Sequence, residues 1–284
     1  MLQYSSFDPI ALQVGPLAIR WYGLMYLIGF VGGWWLVRVR AKRGNAPVTV
    51  EQVDDLLFYT ALGVILGGRV GYTLFYNWPR FIDDPLSIVR IWEGGMSFHG
   101  GFLGVLLGMW LFGRKIGTGF WRLTDTIAPV VPIGLGAGRI GNFINGELWG
   151  KPTDLPWGMQ VNCRDPGFAD LCFEQLRLPR GTDWTPPLHP SALYESLLEG
   201  VGMFAILWIF SSRPRPVMAV SGLFLVLYGV FRSAVEFIRL PDSHIDYLAF
   251  DWLTMGHALS LPMIAWGVLM LWLAYRKPAP SQPA

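Results

Sequence analysis

Residues 217–238 read VMAVSGLFLVLYGVFRSAVEFI, and only Arg232 and Glu236 in that run carry charge. A helix rises about 1.5 Å per residue, so 22 residues make a rod of roughly 33 Å, enough to cross a hydrocarbon core of about 30 Å. Six further apolar runs occur at 18–37, 54–76, 95–113, 121–141, 190–210 and 257–275. The breaks between them are rich in charge, Pro or Gly, as at Arg38 to Pro47, Ser211 to Pro216 and Arg276 to Pro280. Of the 284 residues only 15% are charged. Soluble domains carry about 25%, so most of this surface faces something other than water. The reading is an all-α polytopic membrane protein with about seven transmembrane helices, a single integral-membrane domain over 1–284. A loop or head insertion at 142–189 separates the fourth and fifth helices, and a short tail occupies 276–284. The net charge of +2 is too small to argue for nucleic acid as a partner.

Lys and Arg accumulate in cytoplasmic loops. Alternate loops hold eleven basic residues on one side: Arg38, Arg40, Lys42, Arg43, Arg114, Lys115, Arg122, Arg213, Arg215, Arg276 and Lys277. The other side holds seven, and four of these (Lys151, Arg164, Arg177 and Arg180) lie in the long loop, which counts little. The N-terminus is therefore expected outside and the C-terminus inside. Met1 to Pro16 lacks a basic n-region, so the first helix is expected to be retained. The long loop holds both cysteines, Cys163 and Cys172. In an oxidising compartment they suit a disulfide, and two free thiols are the plain alternative.

With this topology, six spans carry polar groups to one depth, the outer half of the bilayer. They are Arg20 and Tyr26, Arg69, His99, then Arg139, Asn142, Asn145 and Glu147, then His189, Tyr194 and Glu195, then Tyr228, Arg232 and Glu236. An Arg in mid-membrane costs about 2.5–3.5 kcal/mol on insertion scales, so such residues line a cavity or pair with one another. Plainer readings exist for each one. Arg20 and Arg239 can snorkel, Arg232 and Glu236 can pair one turn apart, and Glu195 with Glu199 can be a wetted helix start. His99 alone can be a core histidine. Together the arginines exceed those readings, and the guanidinium fork suits a phosphate, so an anionic phospholipid headgroup is the expected guest. Glycines at 94–104 and 134–142 serve close helix packing or expose backbone to a ligand.

Five segments carry a resemblance. His99-Gly100-Gly101-Phe102-Leu103-Gly104 and Gly138-Arg139-Ile140-Gly141-Asn142-Phe143-Ile144-Asn145-Gly146-Glu147-Leu148-Trp149-Gly150 are similar to motifs of the prolipoprotein diacylglyceryl transferases. So are His189-Pro190-Ser191-Ala192-Leu193-Tyr194-Glu195, Tyr228 through Phe237, and Arg20-Trp21-Tyr22-Gly23 leading to Tyr26. The thirteen-residue segment is highly specific; His-Gly-Gly alone is weak. The resemblance implies an enzyme of the bacterial inner membrane, with a periplasmic N-terminus and head and a cytoplasmic C-terminus. It implies transfer of the diacylglyceryl group of phosphatidylglycerol to the lipobox cysteine of a prolipoprotein signal peptide, with thioether formation and release of glycerol phosphate.

The expected roles follow from that chemistry. A cysteine thiol of pKa about 8.5 is mostly protonated at neutral pH, so a base assists. His99 is the first candidate base. Glu147 and Glu236 are alternatives, either as base or as groups that orient an arginine. Arg139 and Arg232 are expected to grip the phosphate, with Arg239 beside them. Tyr26, Asn142, Gly150, Gly100 and Gly101 position the headgroup or make room for it. No cofactor or metal is called for, because the lipid already carries the activated group. A transporter or channel for an anionic lipid or small anion is the alternative class. It fits poorly with an odd span count, no evident repeat and a cluster near one face.

Overall fold

The computed structural model of the chain describes residues 2–15, 17–241, 248–250 and 252–276, so Lys277 and the rest of the expected tail lie outside it. The chain divides into two compact units, residues 34–127 and residues 1–33 with 128–284. Among the described residues five helices are long and apolar enough to cross a membrane: Trp21–Lys42 (α1), Val50–Tyr76 (α2), the continuous stretch Ser191–Phe210, Ala219–Glu236 (α9) and Met255–Arg276 (α10). The count rises to six if Phe120–Ile127 (α5) and Val131–Ile144 (α6), separated by a break of three residues, form one broken span. Phe98–Ile116 (α4) is the helix of the third apolar run. It is 19 residues long, and Arg114 and Lys115 in its last turn dilute its hydropathy. A polytopic all-α architecture therefore holds.

Within 34–127, α2 starts on a capping box. The Gln52 amide N–H donates to Thr49 Oγ1 at 3.3 Å, and the Thr49 amide donates to Gln52 Oε1 at 2.9 Å. The short helix Trp78–Asp83 (α3) follows it. Gly63, Gly67 and Gly71 on α2 face Gly100 and Gly104 on α4, and Gly108, four residues further along α4, lies against the Tyr59 backbone. A Cβ on Gly71 would lie 2.8 Å from Gly100 Cα, and one on Gly104 would lie 3.0 Å from Gly67 Cα. Only backbones without side chains approach so closely. Arg69, one of the polar groups expected in the outer half, is a clamp on its own unit. Its guanidinium donates to the carbonyls of Ile88 (2.9 Å), Gly95 (3.1 Å), Arg90 (3.0 Å), Ser87 and Gly94, ordering the loop that leads into α4. Ser97 then caps α4, its Oγ accepting from Gly100 N at 3.2 Å.

In the other unit the chain opens with features that the apolar pattern did not announce. Ile10–Val14 (β2) and Leu17–Arg20 (β3) form an antiparallel hairpin turning at Gly15, where φ is +58°. Arg20 is thus the exposed last residue of a strand, and α1 begins one residue later. Leu2–Gln3 (β1) pairs in parallel with Met159–Gln160 (β4). Tyr4 follows into a small core with Trp149, Val161, Phe168, Leu171 and Leu188, closed by the Cys163–Cys172 disulfide. Its hydroxyl donates to the carbonyls of Phe143 and Ile144 at 2.8 and 2.9 Å, and burial pushes its pKa up to about 12. The 142–189 insertion is therefore an ordered body with its own core, docked on the end of α6. The stretch 191–210 is helical with a widened π turn in its middle: Ser191–Glu195 (α7), the π turn Ser196–Gly202, and Met203–Phe210 (α8).

Gly104→Val would drive a branched side chain into α2. Overpacking of this kind costs about 1–3 kcal/mol, so the variant should melt several degrees below wild type in detergent. A wild-type melting curve would refute the glycine contact. His189 gives a pH test. Burial holds its pKa below the usual 6.5, so folding favours the neutral ring. That stability is present above pH 6.5 and is lost as pH falls through the depressed folded value. Thermal stability should therefore drop on acidification below 6.5, and less steeply in His189→Gln.

Candidate functional site

The site is built where α6, the 191–210 helix and α9 meet in one unit. Gly136 and Gly200 set the approach, since a Cβ on Gly136 would lie 2.9 Å from Gly200 Cα. One turn beyond Gly136 is Arg139, and next to Gly200 is Glu199. The Arg139 Nε–H donates to Glu199 Oε2 at 3.2 Å, with Nη2 also 3.2 Å away. Arg139 Nη1 lies 3.0 Å from Glu195 Oε2. The other Glu195 oxygen accepts from Arg232 Nη1 on α9. Arg232 Nη2 lies 2.9 Å from Glu236 Oε2 one turn on, so the i,i+4 pair exists, but as one link in a longer chain. Arg239 closes the cluster, its Nη1 3.9 Å from both Glu195 Oε1 and Glu236 Oε2.

Glu195 and Glu199 have 0% exposure, so they are not a wetted helix start. Buried ions are tolerated only when paired, and three arginines here meet three carboxylates. Glu195 pairs closely with two of the site arginines, a role that its place in the sequence does not announce. The signal available was the Glu195, Glu199 spacing of four, which puts both carboxylates on one face of a helix.

The long family-like segment forms the rim. Asn142 Nδ2 donates to Glu147 Oε2 at 2.9 Å and Asn145 Nδ2 donates to Glu147 Oε1 at 3.2 Å, so both oxygens of this exposed carboxylate are held. The chain then turns through Gly146 and Leu148, both at positive φ (+71° and +62°). Gly150 sits between two strand-like segments. Its N–H donates to His189 O at 2.8 Å, and it forms an antiparallel bridge with Arg239. A Cβ there would fall 2.6 Å from His189 Cβ and 2.7 Å from Ile238 O, so room for Gly150 is a backbone requirement. Beside it a pocket of about 280 Å³ is lined by Glu147, Trp149, Asp170, Gln175 and Arg239 among others. Tyr26 on α1 donates to Tyr22 Oη at 3.2 Å, and Tyr22 in turn packs where Gly141 has no side chain.

Arg139, Arg232, Glu236 and Arg239 are thus brought into one network, with Asn142, Glu147 and Gly150 on connected segments and Tyr26 on α1 of the same unit. His99, Gly100 and Gly101 belong to the 34–127 unit. There His99 is exposed on the first turn of α4, edge-on to Phe98, and Gly100 is the residue that α2 approaches.

Apolar spans enclosing a network of paired arginines and glutamates define a polytopic membrane protein with a charged cluster among its helices. The sequence profile of the prolipoprotein diacylglyceryl transferases matches residues 9–273. Proteins named phosphatidylglycerol–prolipoprotein diacylglyceryl transferase are similar over nearly the full length. That of Pseudomonas fluorescens (strain SBW25) is 55% identical over 99% of this chain and 98% of its own. Those of Solidesulfovibrio magneticus and Azotobacter vinelandii are 56% and 57% identical, covering 100% and 98% of this chain and 99% and 98% of their own. The chain belongs to the prolipoprotein diacylglyceryl transferase family.

Removing one member of a buried ion cluster leaves its partners uncompensated, at about 3–5 kcal/mol. Glu195→Ala should therefore lower the detergent melting temperature far more than Glu147→Ala, whose carboxylate is exposed. Equal effects would contradict the network.

Proposed function

We propose that the chain transfers the sn-1,2-diacylglyceryl group of phosphatidylglycerol to the lipobox cysteine thiol of prolipoproteins; the family name supports the diacylglyceryl transfer and the prolipoprotein acceptor. One structural observation above all supports the reading: three arginines are gathered at one buried locus, two of them in direct ion pairs with fully buried glutamates. Each guanidinium has five N–H donors in a fixed fork. The carboxylates orient Arg139 and Arg232 and engage only part of that fork, so the remainder can take a lipid phosphate.

In the reaction the cysteine sulfur attacks the glyceryl carbon bonded to the phosphate oxygen. A C–S bond forms, the C–O bond breaks, and its electron pair leaves with glycerol phosphate. Negative charge on that phosphate grows along the path, so ionised arginines fixed in place stabilise the transition state more than the bound lipid. His99 takes the thiol proton as first candidate, with Glu147, held by two asparagine amides, and Glu236 as alternatives. Tyr26, Asn142 and Gly150 shape the headgroup site with Arg239, and Gly100 and Gly101 let the His99 turn approach α2. The finer architecture goes with this reading. α4 counts as a span, for seven in all, in the bacterial inner membrane, with the N-terminus and the disulfide-bonded 142–189 head periplasmic and the C-terminus cytoplasmic. A periplasmic head suits substrates that arrive from the outer leaflet and the secretion route, and its disulfide suits that compartment.

The test is purified enzyme in detergent with phosphatidylglycerol and a lipobox peptide, against a peptide in which Ser replaces the cysteine. Mass spectrometry should find the diacylglyceryl thioether and free glycerol phosphate only with the cysteine peptide. Arg139→Ala, Arg232→Ala and His99→Gln should each cut the rate about 100-fold or more. Near-normal transfer by any of them removes that residue from the mechanism, and no product from the wild type removes the reaction.

A further inference from the structure

The network does not end at Glu236. Its Oε1 accepts from the Thr254 hydroxyl at 2.7 Å, and Thr254 Oγ1 lies 3.1 Å from His257 Nδ1. All three residues are buried. A hydroxyl has one proton, and an ionised carboxylate can only accept. Thr254 therefore spends its proton on Glu236, and the His257 contact is a hydrogen bond only if Nδ1 carries the proton. The tautomer follows: His257 Nδ1–H donates to Thr254, and the ring's other nitrogen is the unprotonated one. That nitrogen, Nε2, is buried and makes no hydrogen bond among the described residues, which a neutral acceptor tolerates better than a donor or a charge. Phe237 and Trp252 pack on the imidazole with ring centroids 4.6 and 5.6 Å away, fixing its plane.

The backbone is shaped to the same end. A Cβ on Gly256 would stand 2.6 Å from the Glu236 carboxylate carbon, so the first turn of α10 has no side chain where that carboxylate sits. Glu236 is thus held from one side by Thr254 and faces Arg232 with its other oxygen.

We propose that Thr254 and His257 are positioning residues of the transfer site. They form a one-way donor relay that holds Glu236 aimed, and through it sets the orientation of Arg232. This rests on the reading of Arg232 as a phosphate-gripping residue.

The plain alternative is a helix cap, since His257 N lies 3.5 Å from Thr254 Oγ1. A lost cap lowers stability without touching turnover. Thr254→Val keeps the shape and removes the hydroxyl; at a temperature well below melting it should lower kcat about tenfold or more and change the KM for phosphatidylglycerol little. Thr254→Ser should return kcat to within about twofold of wild type. Ser260→Ala, which removes a buried hydroxyl bonded to the Gly256 carbonyl on the same helix, should leave kcat unchanged. Nitrogen-15 NMR of labelled histidine should show His257 protonated at Nδ1 in wild type. A wild-type kcat in Thr254→Val, or a His257 protonated at Nε2, overturns the proposal. Wild-type transfer measured alongside separates the two claims. An inactive wild type overturns the reaction and the relay's role with it, whereas an active wild type with an unaffected Thr254→Val overturns the relay alone.

Discussion

Glu195 and Glu199 have no exposed surface, and both reach Arg139 from a helix that would otherwise be an ordinary apolar span. Each ion taken out of water costs several kcal/mol, and only an opposite charge at close range offsets that. Nearly every other feature of this unit can be derived from that requirement. Arg139 must be on α6 at the height of Glu199. Arg232 must face Glu195 from α9, and Glu236 must follow one turn later to balance Arg232. The widened turn at Ser196–Gly202 begins directly after Glu195 and contains Glu199, so the irregularity lies at the charges, where such turns are frequently found.

Ion pairs near 3 Å between different helices need backbones that come close, and glycine supplies this repeatedly. Gly136 meets Gly200 beside the Arg139–Glu199 pair, and Gly222 meets Gly267 where α9 crosses α10. Among helices in lipid no hydrophobic force favours association, so van der Waals contact and polar links carry it. The same residues therefore provide adhesion and place the charges.

The apolar runs made the helices legible because hydropathy dominates wherever lipid is the solvent. α9 and α10 fall within about two residues of the expected runs, and α2 extends before its run because a capping box at Thr49 starts the helix in polar sequence. The candidate site was legible as a depth: Arg139, Arg232 and Glu236 stand out as charged where charge is costly, whereas Arg239, just past the end of its run, also admits a snorkelling reading. Their partners were not, since pairing is a three-dimensional fact. Glu195 looked like a helix start because only its neighbours in sequence were visible, and the depth of Arg69 gave no sign that it clamps five backbone carbonyls. The hairpin at 10–20 and the pairing of Leu2–Gln3 with Met159–Gln160 were hidden for the same reason. One is too short for a periodic signal, and the other joins segments more than 150 residues apart.

The charge balance also bears on chemistry. Three arginines against three carboxylates leave the buried cluster neutral, which is what allows it to exist without substrate. The carboxylates weaken the positive field that a phosphate would meet, so they are a cost to lipid binding taken alone. What they provide is orientation. A guanidinium held on two sides need not reorganise when charge shifts onto a departing phosphate, and in a low-dielectric site a fixed dipole or charge is worth more than a mobile one. An arrangement that accepts weaker ground-state attraction for a prearranged response to developing charge favours turnover over tight binding of the lipid. If the arginines grip the phosphate as proposed, the buried glutamates that hold them would belong to the catalytic design as well.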